Sequence, residues 1–439
     1  MSDAFSAATI EQLAKHLREP AWVTDLRRHA LTQHQHLPWP HPSDDIWRRT
    51  DVSLLDPMQG FSPAPRDLLQ RISLSEAQLA GATQPLGQEH LLVRANGAWV
   101  TDERPAGILV EELSAAAHAR PEPLRQAIEA DGLSEAEQKL SSLNLAFHHD
   151  DVVLEVPAHF AGTQPVRLIR LCSASAHAAL FPLTIIRVGA GSTLTLIDEY
   201  ISLGADASPE PHLINGRIEL VIEPNASVHY VRLQRWDLRA REFLLQRATV
   251  AAGASLTMAN INLGAALSKA HIVTKLTGPE ANTRLYGFVF GHGAQHIDQH
   301  TLQDHQAPNT SSDLQFRAAL QDRSRMVYTG LIRIAPNAVR TNAYQSNHNL
   351  LLSREARAET IPMLEILADD VQCKHGASIG PIDDEQEFYL TSRGIPQEAA
   401  QRLIVMGFIE PVIQQVPFEP LQERLREEIE GRLHQAGDG

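Results

Sequence analysis

Apolar residues along the first 32 positions recur at helical spacing. Ile10, Leu13, Ala14 and Leu17 follow Thr9 on one face, and Pro20 opens a second run carrying Trp22, Val23 and Leu26. Pro38, Pro40 and Pro42 break that period. Residues 43–150 are mixed: Leu91-Leu92-Val93 and Trp99-Val100 flank Asn96-Gly97 as a hairpin, and 122–146 reads as helical. From Val152 to Gly380 the period shortens to two, in short strands rich in Val, Ile, Leu and Thr separated by small turn residues. Helical spacing returns over 381–435. Asp383 or Asp384 caps a short helix carrying Phe388, Tyr389 and Leu390; Gly394 stops it, and Pro396 starts another with Ala399, Ala400, Leu403 and Ile404. A last amphipathic helix places Leu421, Leu425, Ile429 and Leu433 at spacings of four. The chain thus divides into an N-terminal helical and mixed α/β domain (1–150), a β domain (151–380), and a small helical domain (381–439) hung on the end of the β unit.

The β region carries a weak repeat. VGAGSTLTL (Val188–Leu196), IEPNASVHY (Ile222–Tyr230), VAAGASLTM (Val250–Met258) and IAPNAVRTN (Ile334–Asn342) each join an apolar strand end, a Gly or Asn three positions on, and a resumed strand. The starts are 34, 28 and 84 residues apart, the last close to three intervals of the second. Such spacing fits the coils of a β-helix, and a β-sandwich with turns at ordinary intervals fits it as well.

Composition narrows the classes. The 439 residues are 43% hydrophobic and 21% charged, as in soluble globular proteins. No window holds the roughly 20 apolar residues of a membrane span, and Met1–Leu17 lacks a basic start followed by an apolar run, so a cytoplasmic protein is expected. A formal charge of -15 argues against a nucleic-acid partner. The two cysteines, Cys172 and Cys373, allow neither a disulfide framework, a CxxC pair, nor an all-cysteine metal site built by one chain. Neither GxxxxGK[ST] nor GxGxxG occurs.

Two constellations could carry chemistry. In GHGAQHIDQHTLQDH (Gly291–His305), a strand puts His296, Asp298 and His300 on one face and Ile297 and Gln299 on the other. Two imidazoles and a carboxylate suit iron, yet positions i and i+4 of a strand lie roughly 13 Å apart, so a polar ladder on the sheet is the competing reading. In VQCKHGASIG (Val371–Gly380), Val371, Cys373 and His375 share a face, and Lys374 and a protonated His375 would favour thiolate. Cys172, among small and apolar neighbours, reads as structural.

Beyond these local features, LEILADDVQCKHGASIGPIDDEQEFYLTSRGI (Leu364–Ile395) resembles the signature of the SufB/SufD family, subunits of the SufBCD iron-sulfur cluster assembly complex. NAYQSNHNLLLS (Asn342–Ser353), AQHIDQHT (Ala294–Thr301), HQAPNTSS (His305–Ser312) and SLNLAFHHDDVVLEVP (Ser142–Pro157) are similar to that family in the same order, and EPAWVTDLRRHAL and IWRRTDVS more loosely. Length and the CKH triplet favour its SufD branch. The chain departs from the pattern at Trp47-Arg48-Arg49-Thr50, where an aromatic usually precedes the Thr, and at Ser378, usually Thr.

The resemblance implies a mainly β protein, a right-handed parallel β-helix flanked by the two terminal domains. It implies a non-catalytic scaffold subunit that pairs with SufB through the β-helix, forms a homodimer when alone, and binds the SufC ATPase through the C-terminal helical domain. For that docking the apolar stripe Phe408, Val412, Leu421 and Leu425 is expected. His375 matches the family's interfacial histidine, with Cys373 beside it, as a site shared with SufB for a transient iron-sulfur cluster or iron; reduced flavin enters at the level of the complex. The missing phosphate loop fits ATP hydrolysis in SufC. The rival from another class is a self-contained β-solenoid metalloenzyme using His296, Asp298 and His300.

Overall fold

The structure, a computed structural model, describes residues 4–51, 60–63, 76–129, 135–172, 177–203 and 210–435. Residues 130–134, inside the stretch read as helical, and Val52 and Ser53 lie outside the described residues. From Leu183 onward consecutive strands alternate between a first sheet, which holds Leu183–Val188, and a second, which holds Thr193–Ser202, and within each sheet a strand pairs in parallel with the strand one coil before it and, except in the last coil, one coil after it. This is a β-solenoid of about seven coils. The sandwich reading fails because its strands would pair mainly antiparallel.

The repeat is the stacking register itself. Val188 lies beside Ile222 and Ile222 beside Val250. Val250 then continues through Leu276 and His305 to Ile334. The interval of 84 residues is therefore three coils, two of which end in Leu276 and His305 rather than in the recognisable motif. Three positions after the motif's first residue the chain turns in the left-handed region at Gly191 (φ +66°), Asn225 (φ +60°) and Gly253 (φ +65°). Glycine and asparagine tolerate that conformation, and stacked turns leave little room: a Cβ on Gly253 would meet Asn225 Oδ1.

Alternation sends one set of side chains inward. Ile186, Leu220, Ala248, Ile272, Leu256, Leu285 and Leu314 belong to the continuous interior core. The interior also encloses ionic pairs: Arg170 with Asp198, which accepts from the hydroxyls of Tyr200 (2.8 Å) and Tyr230 (3.1 Å), and Arg232 with Glu242, which accepts from Trp236 Nε1 (2.8 Å) and Ser268 Oγ (2.9 Å). Buried charges persist because each has a counter-charge and further hydrogen bonds.

The terminal regions cover the outer faces. The hairpin Asn96-Gly97 forms as expected, and its first strand, His90–Ala95, pairs in parallel with Val166–Cys172, so the N-terminal region caps the first edge of the second sheet. Phe5, Ile10, Trp47 and Phe147 pack on Phe181, Leu213, Phe243 and Leu267 of the first sheet's outer face. The C-terminal helices Gln397–Ile413 and Glu419–Gln435 do not hang on the end of the β unit. They lie across the outer face of the second sheet, where Val405, Ile409, Val412, Leu421, Leu425 and Ile429 share one core with Ile197, Val231, Leu233, Ile261 and Phe288. Arg235 pairs with Glu428 at 2.7 Å and Arg424 with Glu199 at 3.0 Å along the seam. The outward residues of the second sheet are themselves large and apolar, which is why the helices lie there.

Two outcomes follow from this architecture. Gly253→Ala should destabilise the solenoid by about 1–2 kcal/mol more than Gly293→Ala: both glycines have positive φ, but a Cβ on Gly293 meets open space. Urea titration of both variants measures the difference. Burial holds His34, His212 and His305 down at about 4 and His271 at about 3, below their ordinary 6.5. The unfolded chain takes up these protons first, so stability is full above pH 6.5 and lost as pH falls towards 4, by about 1.4 kcal/mol per pH unit for each titrating ring. The urea midpoint as a function of pH should show that slope, and a flat profile between pH 6.5 and 4.5 would contradict it.

Candidate functional site at the open last coil

The strands Arg357–Ile366 and Val371–Pro381 form the last coil, and each ends its sheet with one unpaired edge. Here the alternation of the core breaks off. Met363, Leu364, Ile366, Leu367 and Ile379 are all exposed, although Ile332, Ile334 and Asn349, which stand beside Leu364, Ile366 and Ile379 one coil earlier, are buried.

Cys373 and His375 lie on this edge strand as expected from their spacing, and the register shows which face they share. Cys373 stands beside Ala343 and His375 beside Gln345, on rows whose earlier members point into the solenoid. Cys373 is half-buried against the cluster of Ile332, Ile334, Ala338, Ala343 and Ala368. Burial pushes its thiol pKa up, so in the isolated chain the neighbouring Lys374 and His375 do not produce the thiolate expected from the sequence. His375 is exposed at the mouth of the interior. Thus a neutral thiol and an accessible imidazole face the place where a further coil would stack.

Several neighbours were not legible beforehand. Gln345 donates to the Gly330 carbonyl at 3.1 Å, and Asn347 accepts from both Asn349 Nδ2 (2.6 Å) and the Thr360 hydroxyl. These groups form a polar floor under the edge strand. Only the register brings residues 330, 345, 347 and 360 together with 375, and no motif of single-sequence spacing could have done so.

His296, Asp298 and His300 share a face, as read, on the first sheet's outer side beneath the N-terminal segment. A metal there would compete with Lys269. Its Nζ lies 2.5 Å from Asp298 Oδ2 and 3.2 Å from His300 Nε2, donates to the Ile46 carbonyl at 2.6 Å, and sits over the Trp47 ring. Thr50 donates to the same carboxylate. Although burial opposes ionisation, Lys269 and His300 hold Asp298 far below the ordinary carboxylate range. No three His, Cys, Asp or Glu side chains among the described residues gather as metal ligands. The cluster is a latch between residues 46–50 and the solenoid, and the Trp47–Thr50 departure supplies two of its members. Cys172 packs against the interior core at the other end of the solenoid, and burial pushes its thiol well above the ordinary range, in keeping with a structural role.

The expected docking stripe is placed differently from the sequence reading. Val412, Leu421 and Leu425 are fully buried against the second sheet, and Phe408 is partly buried beside Arg317. They fasten the helices rather than face a partner. Among the described residues of this region, the large apolar side chains that are exposed are Phe388 (72%), Tyr389 (56%) and Leu403 (55%).

Residues 171–408, over half the chain, match the family model described as SUF system FeS cluster assembly, SufBD core domain. The iron-sulfur cluster assembly protein SufD of Escherichia coli (strain K12) is 31% identical over 243 residues, which span 55% of this chain and 56% of that protein. The SufD protein of Bacillus subtilis (strain 168) is 26% identical over 95% of both chains. A SufBD family protein of Synechocystis sp. is 27% identical over 88% of this chain and 86% of its own. With the solenoid, the two helical coverings and the matched core region, the chain belongs to the SufB/SufD family of iron-sulfur cluster assembly proteins and is SufD-like.

Proposed function

We propose that this chain is a scaffold subunit of iron-sulfur cluster assembly, pairing through its open last coil with a SufB-type paralogue and through its C-terminal helices with a SufC-type ATPase. The observation that carries the reading is the last coil. A parallel edge with free backbone groups, flanked by exposed Leu364, Ile366 and Ile379, is an incomplete core that a like edge completes. Without the paralogue, the same edge pairs with a second copy of this chain.

Such pairing would enclose Cys373 and His375 between two solenoids. The cluster or its iron is then cargo rather than a resident cofactor. His375 offers a ring nitrogen without needing to unfold anything. Cys373 must lose a proton to act as ligand, and a cation arriving beside it supplies the positive charge that its own surroundings lack. Further ligands come from the partner. Reduced flavin, if used, belongs to the complex. ATP hydrolysis resides in the ATPase, and Phe388, Tyr389 and Leu403 form the surface offered to it in place of the buried stripe.

Charge insertions should separate the two surfaces. Leu364→Asp is expected to abolish self-association and pairing with the paralogue by light scattering, with ATPase capture intact. Leu403→Glu should weaken ATPase capture at least tenfold, about 1.4 kcal/mol, and leave pairing intact. Leu425→Ala, by contrast, should cost about 2–5 kcal/mol of stability through a cavity under the helix. Equal capture by the Leu403→Glu chain and wild type would remove this face from the proposal.

His375→Ala should leave the urea midpoint and complex yield unchanged, since the side chain is exposed, while abolishing rescue of a strain lacking the subunit under iron limitation. Cys373→Ala should be milder, because the partner can supply thiols. Full rescue by His375→Ala would sink the assignment of this histidine.

A further inference from the structure

The residues His148–Asp151, within SLNLAFHHDDVVLEVP, lie far from the open coil. They join the helix Glu135–Phe147 to the strand Val152–Val156 at the closed end of the solenoid. Here His149, Asp150 and Asp151 form one wall of a cleft whose other walls come from the hairpin at Asn96-Gly97, from Glu112–Ser114, and from Leu17 and Glu19. The cleft holds about 370 Å³ of free space, its mouth included. Four carboxylate side chains line it, Glu19, Glu112, Asp150 and Asp151, against one cationic side chain, Arg94.

Internal pairing occupies part of this polar lining. Both oxygens of Glu19 accept from Arg27, at 2.6 and 2.8 Å. Arg94 donates to Asp150 Oδ1 at 2.7 Å and stands 3.9 Å from Glu112 Oε1, so one guanidinium serves two carboxylates. Asp151 Oδ2 lies 2.6 Å from His148 Nδ1, but Asp151 Oδ1 has no hydrogen-bond partner in the chain although the residue is only 7% exposed. His149 is buried as well. Its Nδ1 lies 2.9 Å from the Phe147 carbonyl, which can only accept, so Nδ1 carries the proton and Nε2 presents a lone pair. That lone pair also has no partner in the chain. Burial lowers the pKa of the ring, which keeps it neutral.

We propose that this cleft binds a small organic cation through a primary ammonium group, with Asp151 Oδ1 and His149 Nε2 as its buried acceptors and Glu112 as the carboxylate at the rim. Both buried atoms accept and neither donates, so the occupant must bring the hydrogens. An ammonium group brings three, and its bonds to a carboxylate are charge-assisted. Charge separates it from the alternatives. Water would supply hydrogens without the positive charge that the excess of carboxylates favours, and an anion would be repelled by them. A metal ion needs several ligands converging at bonding distance, and no three His, Cys, Asp or Glu side chains among the described residues gather in that way. The apolar side chains of Leu17 and Leu113 on the same walls suit a short aliphatic stem behind the ammonium.

Thermal unfolding of the full chain in methylammonium chloride, compared with tetramethylammonium chloride at equal ionic strength, tests the assignment, because the second cation has charge and carbon but no N–H. The midpoint should be higher in methylammonium by about 1–2 °C, and the rise should saturate with concentration. Equal midpoints would overturn the proposal, as would an equal rise in potassium chloride, the mark of a site for any monovalent cation. Asp151→Asn keeps the shape of the side chain and removes its charge, so the difference between the two salts should vanish. A difference that survives this change places the cation elsewhere and sinks the site. Should that variant not fold, Glu112→Gln at the part-exposed rim should lower the apparent affinity for methylammonium at least threefold, and an unchanged affinity would count against the cleft in the same way.

Discussion

Parallel stacking of coils is the constraint on which the molecule depends. Each inner strand both donates and accepts backbone hydrogen bonds with the coil before and with the coil after, so a residue's environment is set by the residues about one coil away in sequence. A side chain that faces inward in one coil stacks on inward neighbours in the next. The same rule explains the row from Val188 to Ile334, the stacked left-handed turns, and the continuity of the interior core.

Stacking also creates ends, and the two ends are treated differently. The N-terminal end is closed by the hairpin at Asn96-Gly97 and by Leu109–Glu111, which pair with the first solenoid strands. The other end is bare, with aliphatic side chains exposed on Arg357–Ile366 and its neighbours. Closure at one end and exposure at the other leave Cys373 and His375 on the uncovered edge strand of the last coil, which is why the proposed pairing is placed there.

Charge is used to fix the coverings in place. Arg235, Glu428, Arg424 and Glu199 tie the C-terminal helices to the second sheet, while Lys269, Asp298, Thr50 and the Ile46 carbonyl tie the N-terminal segment to the first. Breaking one partner of such a buried pair leaves an uncompensated charge, a larger loss than the pair's own contribution. These latches hold both coverings against the outer sheets while leaving the last coil free.

Much of the architecture was legible because local periodicity reports local geometry. The helices at both ends, the hairpin at Asn96-Gly97, the cap at Asp383 and the stop at Gly394 depend on residues within a few positions of one another, and all appear in the structure. The shared face of Cys373 and His375 follows from the two-residue period in the same way. What lay beyond the sequence was every relation at a distance of one coil or more. Whether the β repeat was a solenoid or a sandwich depended on which strands pair, and two of the coils carry no recognisable motif. The fate of Asp298 depended on Lys269, 29 positions earlier and one coil away, whose ammonium takes the place a metal would need. The apolar stripe of Val412, Leu421 and Leu425 has the same pattern whether it faces a partner or the chain's own sheet, because amphipathicity states that a face is buried and not against what. Only packing decided that, by presenting Val231, Leu233 and Phe288 outward to receive it.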